Sequence, residues 1–114
     1  MQHLIDAIVK FRDARDWAQF HNLKDLAISI SLEAAELLEN FQWKSNAEIE
    51  ALADDTAFRE NIREELGDVL IYAFLIAHTC GFDPEEVITS KLALNEQRYP
   101  VERARGRAEK YTRL

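Results

Sequence analysis

Apolar residues recur every three or four positions through two long stretches, NLKDLAISISLEAAELLENF (residues 22–41) and FRENIREELGDVLIYAFLIAHTC (residues 58–80). That period marks an α-helix with a buried face, and stretches of this length do not alternate as strands do. Three Gly and two Pro in 114 residues leave the pattern almost uninterrupted. The chain is therefore expected to be all-α, a four-helix-bundle-like single domain over residues 1–114 with a basic tail from about residue 100. The expected helices run from about Leu4 to Arg15, Leu23 to Phe41, Phe58 to Cys80, and Pro84 toward Tyr99. The last has the clearest start, with Asp83 as N-cap, Pro84 at the first helical position and Glu86 at the capping-box position. Ser45 and Glu48 form a second capping-box pattern that can start a short helix.

Both long segments carry paired acids beside their apolar stripe. At ~100° per residue, Leu23, Leu26, Ala27, Ile30, Ala34, Leu37, Leu38 and Phe41 share one arc. Glu33 falls at the edge of that arc, and Glu36 lies ~60° further round. In the other segment Ile62, Leu66, Val69, Ala73, Ile76 and Ala77 make the stripe, Glu65 borders it, and Asp68 and Tyr72 continue the polar strip. Antiparallel packing of the two stripes would bring the four carboxylates together at mid-length. One such pair on one helix is ordinarily a solvated face, but two in matching register require cations to offset their repulsion. Oxygen-only ligands suit Mg²⁺, with Mn²⁺ the alternative. Di-iron bundles add a His at the i+3 position, which is missing, and His78 falls on another face from Asp68. Carboxylate-held metal in a helical protein suits hydrolysis of a phosphoanhydride.

Charge excludes one class of partner. Residues 1–97 carry 8 Lys and Arg against 19 Asp and Glu, whereas residues 98–114 carry 6 against 2. So acidic a body disfavours a polymeric nucleic acid, whose binding depends on neutralising many phosphates. The longest apolar run, Val69 to Ala77, falls far short of the ~20 residues that span a bilayer, and no signal-peptide pattern opens the chain. No membrane partner and a cytoplasmic location are expected. Cys80 ends an apolar helix and is expected to be a buried thiol.

Other residues fit a nucleotide. Lys91, Asn95 and Tyr99 recur at helical spacing with Arg98 beside them, a strip that is either ordinary surface or a contact for phosphate and sugar. Trp17 and Trp43 flank the second helix and can be core residues or stacking faces for a base, and His21 a loop cap or a substrate contact. Ile28, Leu32, Ile71 and Leu75 lie opposite their stripes, which suggests burial on two sides and a second subunit.

The motifs RDWAQFH, LEAAELLENFQWK, EELGDVLIY, K-x-x-x-N-x-x-R-Y-P and KYT occur in this order. In this the chain resembles the MazG-like nucleotide pyrophosphohydrolases, particularly the branch that includes dCTP pyrophosphatase, from about Ile5 to Leu114. The resemblance implies an all-α, oligomeric fold (homodimer or homotetramer) that cleaves nucleoside triphosphates between the α and β phosphates. It implies Mg²⁺ on Glu33, Glu36, Glu65 and Asp68, with Glu36 orienting the attacking water. It further implies base and sugar contacts at Trp17, His21, Trp43 and Tyr72, and phosphate contacts at Lys91, Asn95 and the basic tail through Lys110. Ile8 departs from the animal dCTP-specific members, which have His there, so strict cytosine preference is not implied. A silent metal- or nucleotide-binding oligomer and a hydrolase for another nucleotide-like anhydride are the alternatives.

Overall fold

The computed structural model describes residues 1–114. It is all-helical: α1 (Gln2–Ala14), α2 (Leu23–Glu39), α3 (Asn46–Ala51), α4 (Thr56–Cys80), α5 (Pro84–Arg98) and α6 (Val101–Ala104), with 3₁₀ turns at Ala18–Phe20 and Tyr111–Arg113. No single helix is long and apolar enough to cross a membrane. Two compact units are formed, residues 1–81 and residues 82–114.

Side chains fix the helix starts. Asn22 accepts from the Asp25 N–H, Ser45 from Glu48 and Asp55 from Phe58, each satisfying an amide that the helix itself cannot. Asp83 caps α5 through the Glu85 N–H, while the Glu86 carboxylate turns to Ser90, so the expected reciprocal capping box is not closed. At the other end of α4, Gly81 adopts φ 73°, the left-handed conformation that stops a helix at little cost when no Cβ is present.

In the first unit α4 packs against both α2 and α1. Phe41, just past the end of α2, meets Phe58 at the start of α4, with centroids 5.7 Å apart. His21, just before α2, meets Tyr72 far along α4, with centroids 6.2 Å apart. The contacts advance along one helix as they retreat along the other, so the pair is antiparallel, as expected. Leu26 is completely buried, and Ile5 and Leu75 are nearly so.

Two expectations are corrected. Leu75 does not await a second subunit: α4 has a partner on each side, so a residue opposite the α2-facing stripe is buried within the unit. Cys80 is exposed, because it is the last residue of α4, one turn beyond the half-buried Ile76 and Ala77. By contrast Ile28, Leu32 and Ile71 are exposed. Leu26→Ala is expected to cost about 2–5 kcal/mol, the price of a buried leucine truncated without collapse of the cavity. Chemical denaturation should show this as a lower midpoint at unchanged slope; a cost under about 1 kcal/mol would contradict the packing described.

Candidate functional site

Antiparallel packing brings the middle of α2 to the middle of α4. One carboxylate oxygen from each of Glu33, Glu36, Glu65 and Asp68 lies within 4.8 Å of all the others. Glu33 and Glu65, on the stripe borders, are half-buried; Glu36 and Asp68 are exposed. Two full charges ~4 Å apart repel by about 4 kcal/mol at an effective dielectric near 20, so the cluster resists complete ionisation. Burial, a proton shared with Glu36, and the charges of Glu36, Asp68 and Glu65 push the Glu33 carboxyl up to about 7. Burial and Glu36 also raise Glu65, with Asp68 and Glu39 adding their charge.

One oxygen of Glu33 and one of Glu65, both Oε2, are buried and have no hydrogen-bond partner. Orphaned buried acceptors are rare and ask for a donor or a cation. Four hard oxygen ligands from two rigid helices, two of them with unsatisfied buried atoms, fit a divalent ion of the Mg²⁺ or Mn²⁺ type.

A cavity of about 660 Å³ adjoins the cluster, with Glu33 and Asp68 in its lining. Its walls are apolar and aromatic: Ile8 and Phe11 from α1, Trp17 and His21 from the loop, Tyr72 and Phe74 from α4. Volume and lining suit a small organic ligand. Trp17 packs edge-on against Phe11, with centroids 5.8 Å apart, and keeps part of its face open. His21 carries a buried Nδ1 with no partner, and desolvation, followed by the charge of Arg12, lowers its pKa. Both effects favour the neutral imidazole, which has one accepting nitrogen.

Of the residues expected to contact substrate, Trp17, His21 and Tyr72 thus share one cavity with two of the acids. Trp43 does not line it: it is 91% exposed, on a turn where its φ of 65° places a large side chain in the left-handed region. Lys91, Asn95, Arg98, Tyr99 and Lys110 belong to the second unit. There the Arg98 guanidinium sits 4.6 Å from the Tyr111 ring centre, Lys110 lies 5.9 Å from it, and Tyr99 packs edge-on against the same ring. Lys91 is exposed and Asn95 half-buried.

Sequence reasoning missed Arg12, which also lines the cavity. A signal was present: at ~100° per residue Arg12 falls inside the apolar arc of α1, between Ile8 and Ile5. A cation inside an apolar arc needs a reason to be there.

The fold and the site define an all-α protein in which an antiparallel helical pair concentrates carboxylates beside an aromatic cavity. The chain belongs to the MazG-like family, whose model matches residues 28–114. It is similar to dCTP pyrophosphatase 1 of Rattus norvegicus, 45% identical over 105 residues, and to that of Homo sapiens, 39% identical over the same length. These alignments cover 92% of this chain and 62% of each relative, so the chain spans less than two thirds of the curated relatives it matches. The crystal structure of a pyrophosphatase from Archaeoglobus fulgidus superposes with a TM-score of 0.78 at 41% identity, over 88% of this chain and 92% of that one.

The raised Glu33 pKa fixes the sign of a pH dependence. Its folded value of about 7 lies above the ordinary 4.5, so folding takes up a proton. The stability it contributes is fully present below about pH 4.5 and is lost as pH rises through about 7. In chelator, the Glu33→Gln variant should therefore lose less melting temperature than the parent chain between about pH 5 and pH 8. Identical slopes for the two proteins would contradict the cluster as described.

Proposed function

We propose that the chain is a nucleoside triphosphate pyrophosphohydrolase that cleaves between the α and β phosphates, yielding a monophosphate and pyrophosphate. The observation that carries this reading is the pair of orphaned carboxylate oxygens, in a cluster of four acids that opens onto a nucleoside-sized aromatic cavity. The names of the relatives make dCTP, or a modified dCTP, the first candidate substrate and house-cleaning of the deoxynucleotide pool the purpose. Such a role belongs in the cytoplasm, where free nucleotides are.

Glu33, Glu36, Glu65 and Asp68 would hold Mg²⁺, with Mn²⁺ as substitute. The bound ion supplies neutralisation of the phosphate oxygens and a lowered pKa for coordinated water. Glu36, exposed within the cluster, orients the attacking water and accepts its proton. Half-buried Glu33 and Glu65 keep their positions on the stripe borders and so set the geometry that Glu36 and Asp68 complete. Trp17 and Tyr72 offer faces and edges to the base, and neutral His21 offers an acceptor to a base amino group or a sugar hydroxyl. Lys91, Asn95, Arg98, Tyr99 and Lys110 are the proposed phosphate and sugar contacts of the C-terminal region. Exposed Ile28, Leu32 and Ile71 support a homodimer or homotetramer, in which Trp43 can serve as a further base contact.

Chromatography of the products formed from each common dNTP and NTP with Mg²⁺ tests this directly. Monophosphate plus pyrophosphate from a subset is expected, and addition of chelator should abolish it. Glu36→Gln and Asp68→Asn should each lower kcat by about 100-fold or more, in the range seen when a group acting only in the transition state is removed, with melting temperature unchanged or raised. Intact nucleotides with both Mg²⁺ and Mn²⁺, or full turnover in both variants, would overturn the reading and favour a silent metal-binding oligomer.

A further inference from the structure

Arg12 is the one cation in the lining of the cavity, and nothing in the phosphate chemistry above uses it. Its side chain is only 14% exposed, so the position carries a desolvation cost that a surface arginine avoids. Its partner is its neighbour in sequence. Both Nε and Nη2 lie 2.9 Å from Asp13 Oδ1. One carboxylate oxygen thereby pins one side of the planar fork, and Nη1 makes no hydrogen bond within the chain. What remains is the end-on pair, Nη1 with the second Nη2 proton: two parallel donors at fixed spacing and no acceptor.

We infer that Arg12 selects the base, its end-on guanidinium edge pairing with a base that presents two adjacent acceptors. This deepens the nucleotide reading above and rests on it. Among the common bases, cytosine offers such an edge at O2 and N3, and guanine at O6 and N7. Thymine and uracil separate their carbonyls by an N–H, and adenine places its amino group beside each ring acceptor of its Watson–Crick and Hoogsteen edges. A donor-only fork in a desolvated site leaves these bases with an unmatched donor, which is the more costly kind of mismatch. Asp13 positions the fork without touching the ligand, and Trp17 and Tyr72 accept any ring by its face. His21 can meet a base amino group, so what Arg12 adds to the selection is the demand for two adjacent acceptors.

The test is binding, followed by tryptophan fluorescence, of the α,β-imido analogues of dCTP, dGTP, dTTP and dATP with Mg²⁺. Wild-type protein, Arg12→Met and Arg12→Lys are compared, and turnover of the natural nucleotides is measured in parallel. The parent chain should bind the cytosine and guanine analogues more tightly than the other two. Arg12→Met should weaken those two by about 5- to 100-fold, the range for loss of a bidentate base contact, and leave the others nearly unchanged. Arg12→Lys keeps the charge without the fork, so it should lose the same discrimination at a native melting temperature, and it decides the matter if Arg12→Met does not fold. Equal weakening of all four analogues, no preference in the parent chain, or no binding of any analogue overturns the assignment. Selective binding with every natural nucleotide left intact would sustain Arg12 as the base reader while overturning hydrolysis.

Discussion

Four carboxylates held close together on two packed helices constrain everything else in this protein. Packing of α2 against α4 brings acids of like charge together, and burial and that proximity raise the proton affinity of Glu33 and Glu65. That arrangement leaves Glu33 and Glu65 each with a buried oxygen that no donor satisfies. A divalent cation would resolve both the repulsion and the missing contacts at once. The helix packing that gathers the acids would then also be the source of the proposed cation affinity.

The apolar and acidic features serve each other. Glu33 and Asp68 belong both to the carboxylate cluster and to the lining of the cavity, so any ligand in the cavity lies beside the clustered acids. The His21 to Tyr72 contact at one end of the helical pair and the Phe41 to Phe58 contact at the other fix the register that places the acids opposite each other. Few side chains are fully buried, and large apolar residues such as Leu32 and Leu38 are exposed, more apolar surface than the single chain covers.

Much of this was legible in the sequence because helical periodicity is a local property. The arcs of α2 and α4 placed Glu33, Glu36, Glu65 and Asp68 in matching register, and Asp83 with Pro84 marked the start of α5. What periodicity could not show was how many partners each helix has. Leu75 read as surplus because the reading gave α4 one neighbour, and α1 turned out to be the second. Arg12 went unnoticed for a related reason: only the cavity between α1 and α4 gives a cation in that arc a purpose. Cys80 looked buried from its apolar neighbours, but packing ends one turn earlier. Trp43 is a case of backbone geometry, since a left-handed tryptophan turned wholly to solvent leaves no periodic trace.

The central claim is that the carboxylate cluster is a cation site whose protons leave when the cation enters. Calorimetric titration of Mn²⁺ into the nucleotide-free protein near pH 7, repeated in buffers of different ionisation enthalpy, measures both events together. With Glu33 at about 7, binding should release about half a proton per chain from that residue alone, and Glu33→Gln should reduce both affinity and release. Binding without proton release, or the same affinity after Glu33→Gln and Asp68→Asn are combined, would contradict the account.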